Sequence, residues 1–417
     1  MPSESDGSGR ILTGGVMRRR DFLRGLTAAS TYALSPRVPA QGRSPLRVVV
    51  IGGGIVGASI AMHLAAAGAR VTLLEKSGPA KGATEKSFAW VNTYQDDAHY
   101  RALRLESLLA YRDLDIPLQL GITWGGYLNW TDAITEADSL RNYAASVAGT
   151  PYAWRALSPA AVAQLNPAVA PGAITAAYFS TIDGHLDPVW VTWRLLDRAR
   201  LLGAKLVFPC EVTGLDFRGH RLAGVATTCG KFAADRVVVS AGVDTPRILS
   251  WAGFSLKLRH APGILTHSHP IPEATRMVCD APQGIEFKQM ANGRIVGTDA
   301  VAPPDTPAHR EIRDHAIDFP DENLRTMHGT RILERIATYL PAAKAATCDF
   351  LTLGFRPMPL DGFPIVGALP AASDVYVAVT HSGVTLAPIL GKYVTRELLG
   401  SDIAGPLVPY RPIRFVG

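Results

Sequence analysis

The sequence predicts an α/β fold, and three adjoining stretches carry that expectation. Val48-Val49-Val50-Ile51 is a continuous β-branched run, the mark of a strand buried on both faces. Gly52-Gly53-Gly54-Ile55-Val56-Gly57 follows directly and satisfies G-x-G-x-x-G. An apolar helical pattern then runs from Ala58 to Ala67 and stops at Gly68, and a second β run, Val71-Thr72-Leu73-Leu74, ends in Glu75. Strand, glycine turn, helix, strand and terminal acid in that order read as a Rossmann-like dinucleotide-binding unit.

Each residue type has a physical reason. Gly52 permits the tight turn, Gly54 lets the backbone approach a pyrophosphate, and Gly57 lets the helix pack close to the strand. The helix N-terminus then offers free N–H groups and a positive dipole end to the phosphates. Glu75, followed by Lys76, is placed to accept hydrogen bonds from ribose hydroxyls, and an acid there disfavours a 2′-phosphate.

Composition bounds the rest. Hydrophobic residues make up 47% and charged residues 19%, which supports a sizeable packed core and excludes a disordered chain. The net charge is +6, and half of it sits in residues 1–40, where six arginines face three acids. The weakly charged remainder gives no case for nucleic-acid binding. Cys210, Cys229, Cys279 and Cys348 form no CxxC or zinc-ligand spacing. Buried free thiols are the plain expectation; Cys210 and Cys229 on neighbouring strands, paired in an oxidising compartment, are the alternative.

Arg19-Arg20-Asp21-Phe22-Leu23-Arg24 resembles the twin-arginine export consensus. A mildly apolar stretch, Gly25 to Leu34, and small residues at Val38-Pro39-Ala40 complete a signal peptide over 1–40, implying a periplasmic or exported protein. Met17 is an alternative start. The stretch is too short to span a bilayer, and no transmembrane segment is expected elsewhere.

Further segments identify the chain by resemblance. Gly82-Ala83-Thr84-Glu85-Lys86-Ser87-Phe88-Ala89-Trp90 looks like a second cofactor contact, with Thr84 and Ser87 as hydroxyl candidates. Gly354-Phe355-Arg356-Pro357, then Asp361-Gly362-Phe363-Pro364-Ile365-Val366-Gly367, resembles a closing motif. A strand, Val375 to Val379, and the turn Thr380-His381-Ser382-Gly383-Val384-Thr385 follow, leading into a helix to Leu399. Asp183-Gly184-His185-Leu186-Asp187-Pro188, Val212 and Val237-Val238-Val239-Ser240-Ala241-Gly242 supply intermediate matches. Together they resemble the D-amino acid oxidase, glycine oxidase and sarcosine oxidase superfamily of FAD-dependent oxidoreductases, from about Leu46 to Leu399. Trp90 stands where that family usually has glycine.

The resemblance implies a Rossmann-like FAD-binding domain interleaved with a mostly antiparallel β-sheet substrate domain. The FAD-binding pieces would be 46–118, 176–255 and 346–410, and the substrate pieces 119–175 and 256–345. It implies non-covalent FAD held by Gly52, Gly54, Ile55, Val56, Gly57, Glu75, Lys76, Thr84, Ser87, Val212, Ala241, Gly242, Ser382, Gly383, Val384 and Thr385. Local signals fit. Tyr127-Leu128-Asn129-Trp130 is a short β pattern, Ser158 with Pro159 reads as a helix start, and Ile285 to Thr298 reads as a hairpin around Asn292-Gly293. Pro303 to Pro307 reads as an exposed loop.

The implied activity is oxidation of the C–N bond of a small amino acid or amine, by hydride transfer to flavin N5. Arg356 resembles the family's carboxylate-binding arginine, and its guanidinium fork matches a carboxylate bidentately. The alternative for Arg356 is a structural pair with Asp361. His381 stands where a relative places a second substrate-binding group, or else caps the following helix. Trp90, Trp124 and Phe287 are candidate pocket walls, and Lys288 reads as a solvated strand lysine. His267 and His269 lack further ligands at metal spacing, so no metal is expected. The electron acceptor is oxygen or a respiratory carrier. Rival readings are a flavin dehydrogenase of a hydroxy acid or another amine, a non-catalytic FAD-binding subunit of an exported complex, and an NAD-binding reductase.

Overall fold

In the computed structural model, residues 44–299, 305–315, 318–319, 321–400 and 404–416 are described. The expected signal peptide, Met17 and the pair Pro303-Pro304 fall outside them. In chain order the strands begin with β1 (Arg47–Ile51), β2 (Arg70–Leu74), β3 (Trp90–Val91), β4 (Tyr127–Thr131), β5 (Arg155–Ala156), β6 (Ala176–Ser180) and β7 (Gly184–His185). Next come β8 (Lys205–Val207), β9 (Val212–Arg218), β10 (Arg221–Thr227), β11 (Gly230–Ala233), β12 (Arg236–Val239) and β13 (Leu258–Ser268). The last are β14 (Val278–Ala281), β15 (Ile285–Gln289), β16 (Ile295–Asp299), β17 (Cys348–Pro359), β18 (Ile365–Leu369) and β19 (Ala372–Val379).

Two large sheets organise the molecule. A six-stranded sheet runs β18-β19-β12-β1-β2-β8, parallel except at β18, which pairs antiparallel to β19. Its central strand explains the β-branched run: Val48, Val49, Val50 and Ile51 are all buried, with apolar clusters on both faces. One face is covered by helices Ile55–Ala66, Pro188–Leu201 and Gly383–Leu398, the other by the β9–β11 meander. The expected first helix begins at Ile55, three residues before the apolar pattern, because extended Gly54 is its N-cap residue and the chain turns helical directly after it. Asp187 caps Pro188–Leu201 by accepting from Val189 N and Trp190 N.

The eight-stranded sheet runs β17-β13-β16-β15-β14-β4-β6-β5 and is antiparallel except between β14 and β4. The hairpin expected at Ile285 to Thr298 is β15–β16, turning at Asn292 and at Gly293, whose φ is +85°. Ser158 caps Pro159–Leu165 as its sequence suggests, accepting from Ala161 N at 3.2 Å. Two strands expected in the cofactor pieces belong to this sheet. Ala176–Ser180 pairs with β4, and Cys348–Pro359 pairs along nearly its whole length with β13. Motif resemblance locates a segment along the chain, whereas long-range pairing decides its sheet.

Three expectations change. Cys210 and Cys229 form a disulfide with Cα atoms 5.7 Å apart, because the turn after β10 folds Cys229 back over Cys210, two residues before β9. Only Cys279 and Cys348 are free thiols. Pro307 is not loop but the first residue of helix Pro307–His315, where its missing N–H costs nothing. Lys288 is not solvated; it is 1% exposed, since strand alternation turns it into the interior. No described helix is long and apolar enough to cross a membrane.

Candidate active site

A cavity of about 1090 Å³ runs between the two sheets, from Glu75 and Val212 at one end to Arg356, His381 and Glu286 at the other. The carboxyl ends of β1, β2 and β12 open onto it, the place where open parallel sheets receive ligands.

The glycine turn forms the narrow end. Gly52 has φ +113°, and an added Cβ would meet Ser240 O at 2.5 Å. At Gly57 a Cβ would stand 2.0 Å from Gly52 O, so the helix packs onto the turn only because the side chain is absent. Gly57 therefore does not itself line the cavity; Gly52, Gly54, Ile55 and Val56 do. Glu75 Oε2 accepts from Gly53 N at 2.7 Å, and Oε1 accepts from Ser77 N at 2.9 Å. Those bonds fix the carboxylate and leave lone pairs for ribose hydroxyls. Lys76 pairs with Asp244 at 2.5 Å. Val212, Ala241 and Gly242 line the same end.

The second loop passes over the turn. Thr84 Oγ1 accepts from Ile55 N at 3.2 Å, and Ser87 Oγ accepts from Ala89 N at 3.0 Å. Gly354 lets this loop cross β17, since a Cβ there would meet Lys86 Cβ at 2.7 Å. Helix Gly383–Leu398 starts on the cavity wall with Ser382 as its N-cap residue, and the cap side chain makes no bond to the helix. The amides of Gly383, Val384 and Thr385 lie in the first helical turn and have no intrahelical acceptor. Arg104, buried on helix Ala98–Leu118, braces this end by donating to Ser382 Oγ at 2.9 Å and Asn92 O at 3.1 Å.

The wide end carries the ionisable groups. Arg356 lines the cavity, and its side chain makes neither a hydrogen bond nor an ion pair with any described residue; burial lowers its pKa and Glu286 opposes that. Asp361 pairs instead with Arg414 at 2.7 Å, so it does not hold Arg356. His381 lies beside it with Nδ1 3.3 Å from Ser382 Oγ. Burial, then Arg104 and Arg356, push its pKa down to about 4, so the ring is neutral at pH 7. Trp90 also lines the cavity, with Nε1 donating to buried Asp183 at 2.9 Å. Burial raises the Asp183 pKa to about 7.

Two aromatic candidates are elsewhere. Trp124 donates to Asp115 at 2.9 Å under Arg112, and Phe287 is fully buried in the core behind the sheet. His267 stacks on Phe350 with ring centroids 4.4 Å apart. Lys288 Nζ donates to Leu186 O at 3.4 Å beside the Phe88 ring, and burial lowers its pKa to about 7. Glu286, Asp280, Tyr94 and Arg104 escaped the sequence reading. Alternation along Ile285–Gln289, with Glu and Lys between apolar residues, was the available signal for Glu286 and Lys288.

The arrangement fits FAD on chemical grounds. A glycine turn, two helix N-termini and a fixed acid line one elongated cavity, offering donors to a pyrophosphate and acceptors to a ribose. Together with the parallel sheet they define the class, a flavin-binding oxidoreductase. The FAD dependent oxidoreductase family matches residues 47–397, and this chain belongs to it. It is similar to glycine oxidase of Geobacillus kaustophilus (strain HTA426), 26% identical over 387 residues, covering 89% of this chain and 97% of the relative. It is also 29% identical over 401 residues to mitochondrial dimethylglycine dehydrogenase of Rattus norvegicus, covering 91% of this chain and 46% of that one. The crystal structure of glycine oxidase from Geobacillus kaustophilus superposes with a TM-score of 0.77 at 22% identity, covering 89% of this chain and all of that one. The chain is therefore an FAD-dependent oxidoreductase.

Proposed function

We propose that this chain oxidises the C–N bond of a small amino acid or amine, with non-covalently held FAD as its cofactor. FAD, when bound, supplies the two-electron acceptor. The residues do the rest. Gly52, Gly54, Ile55 and Val56 receive the pyrophosphate, Glu75 the ribose and Val212 the adenine, with Lys76, Ala241 and Gly242 beside them. Gly57 closes the helix onto that turn. Thr84 and Ser87 hold the crossing loop. Ser382 to Thr385 present amides and a positive helix end where negative charge is stabilised. Arg356 binds the substrate carboxylate, and the neutral His381 ring packs beside it.

The carrying observation is Arg356. A guanidinium without a hydrogen-bond or ion-pair partner among the described residues, opening into the same cavity as the glycine turn, is a charge waiting for an anionic ligand. Orientation by such a fork supplies most of what this chemistry asks of a protein. The test is anaerobic addition of D-amino acids, glycine, sarcosine and 2-hydroxy acids to the FAD-loaded protein. Bleaching of the flavin band near roughly 450 nm by amines supports the reading; bleaching by hydroxy acids alone overturns it. Admitting air then separates oxygen from a respiratory carrier as the acceptor.

We also propose that residues 1–40 are a cleaved twin-arginine signal and that the protein works in the periplasm. The Cys210–Cys229 disulfide supports this, since such bonds persist in oxidising compartments. Replacing Arg19 and Arg20 with lysine should retain the protein in the cytoplasm; unchanged export would overturn the proposal.

A further inference from the structure

The cavity holds an acid that the function proposed above leaves unused. Along β15, Ile285 and Phe287 enter the core behind the sheet, so Glu286 and Lys288 take the opposite face. Register carries that face across the sheet. Lys288 opposes Val296, Val296 opposes His267, and His267 opposes Phe350. Arg356 stands an even number of residues along β17 from Phe350, so Glu286 and Arg356 share one face. Both line the cavity. Each feels the other's charge, yet they form no ion pair, and the Glu286 side chain makes no hydrogen bond to any described residue.

Behind Glu286 stands Asp280, directly opposite in the β14–β15 ladder. The two acids are not equivalent. Burial raises the Asp280 pKa, with Glu136 adding to it, while Tyr127 OH, donating at 2.9 Å, favours the charged form; Asn129 Nδ2 also donates to it at 3.2 Å. Glu286 has no donor, and burial with the Asp280 charge raises its proton affinity, with Arg356 opposing. The other groups facing it are Tyr94 from the loop after β3, Tyr127 from β4 and uncharged Thr298 from β16.

An α-amino acid arrives as a zwitterion, and its nitrogen must lose a proton before the lone pair can assist hydride departure. We propose that Glu286 is the amine-side residue of this site: Arg356 takes the carboxylate while Glu286 receives the ammonium and accepts its proton. The assignment rests on the amine-oxidation reading. In this step one N–H bond of the substrate breaks and one O–H bond forms on the Glu286 carboxylate. The electron pair of the broken bond stays on nitrogen, and nothing is oxidised until hydride leaves carbon. Asp280 is a positioning residue that acts through Glu286, keeping its proton affinity matched to an amine. The substrate class is thereby a zwitterionic amino acid rather than a simple amine or a hydroxy acid.

The test uses FAD-loaded full-length protein with glycine, sarcosine and D- and L-alanine as probes. Anaerobic bleaching rates are followed against pH for wild type, Glu286→Gln and Asp280→Asn, with calorimetric binding of acetate in parallel. Glu286→Gln should slow bleaching by about 100-fold or more and abolish the acid limb of the profile. It should keep acetate binding, which Arg356 supplies, at least as tight as in wild type. Asp280→Asn should move the acid limb to lower pH. A Glu286→Gln rate within about threefold of wild type with the same limb overturns the inference, as does joint loss of acetate binding. Should that variant fail to fold, an unmoved limb in Asp280→Asn overturns it. A wild-type protein bleached by no amine sinks the amine reading itself, a result distinct from these.

Discussion

The two large sheets meet along one cavity but build their halves of it by different means. The six-stranded sheet offers mostly backbone: a glycine turn, amides at two helix starts, and one acid at a strand end. The eight-stranded sheet offers side chains, Arg356 of β17 and Glu286 of β15, with Asp280 and Lys288 on the same face beside them. Backbone sites depend on local geometry and tolerate little added volume. Side-chain sites depend on register between distant strands and tolerate truncation without loss of fold.

That contrast sets what mutation should do. The largest effect is expected on the backbone side. Gly57→Ala forces a Cβ to 2.0 Å from Gly52 O, so the helix must retreat from the turn. The purified protein should be colourless, with flavin content down by at least about tenfold; normal flavin content breaks the comparison. Next is Arg356→Ala, which removes a charged hydrogen-bond donor but no packing of the turn. It should keep its flavin and lose about 1.5–3 kcal/mol of carboxylate binding, roughly 10–150-fold, measured as the KM for an amino acid.

Acid sharpens the comparison further. His63, on the cofactor side, and His328, beside the eight-stranded sheet, are each held neutral by burial, with pKa near 4. Unfolding frees both to bind protons below about 6.5. Their contribution is therefore complete above that pH and is lost as pH falls towards 4. His63→Gln and His328→Gln should each flatten this acid loss by on the order of 1–2 kcal/mol near pH 4–5. Denaturant titrations at several pH values read it, and slopes equal to wild type reject it. The smallest effect is expected at Ser158→Ala, which removes one exposed cap and should cost about 1 kcal/mol with no change in flavin content.

The same contrast explains what was legible in the sequence. The cofactor half was written in neighbours: Val48 to Glu75 specify strand, turn, helix and acid within one continuous segment. Arg356 was legible because its Gly-Phe-Arg-Pro setting is itself local. Glu286 was not, since an acid between Ile285 and Phe287 reads as the wet side of a strand. Only the pairing of β13 with β17 and β16 turns that side inward. Lys288 was misread for the same reason. The disulfide needed the turn after β10, which no spacing rule between Cys210 and Cys229 supplies.

The cradle also has a consequence in time. Its walls come from Gly52 to Val56, from Thr84 to Trp90 and from His381 to Thr385, so nearly the whole polypeptide lies between its first and last contributors. A ribosome that has released only the first strands has made a turn with nothing to close over it. The complete cradle therefore exists only once the chain has been made as far as Thr385, and a prematurely terminated chain holds the fingerprint without the grip.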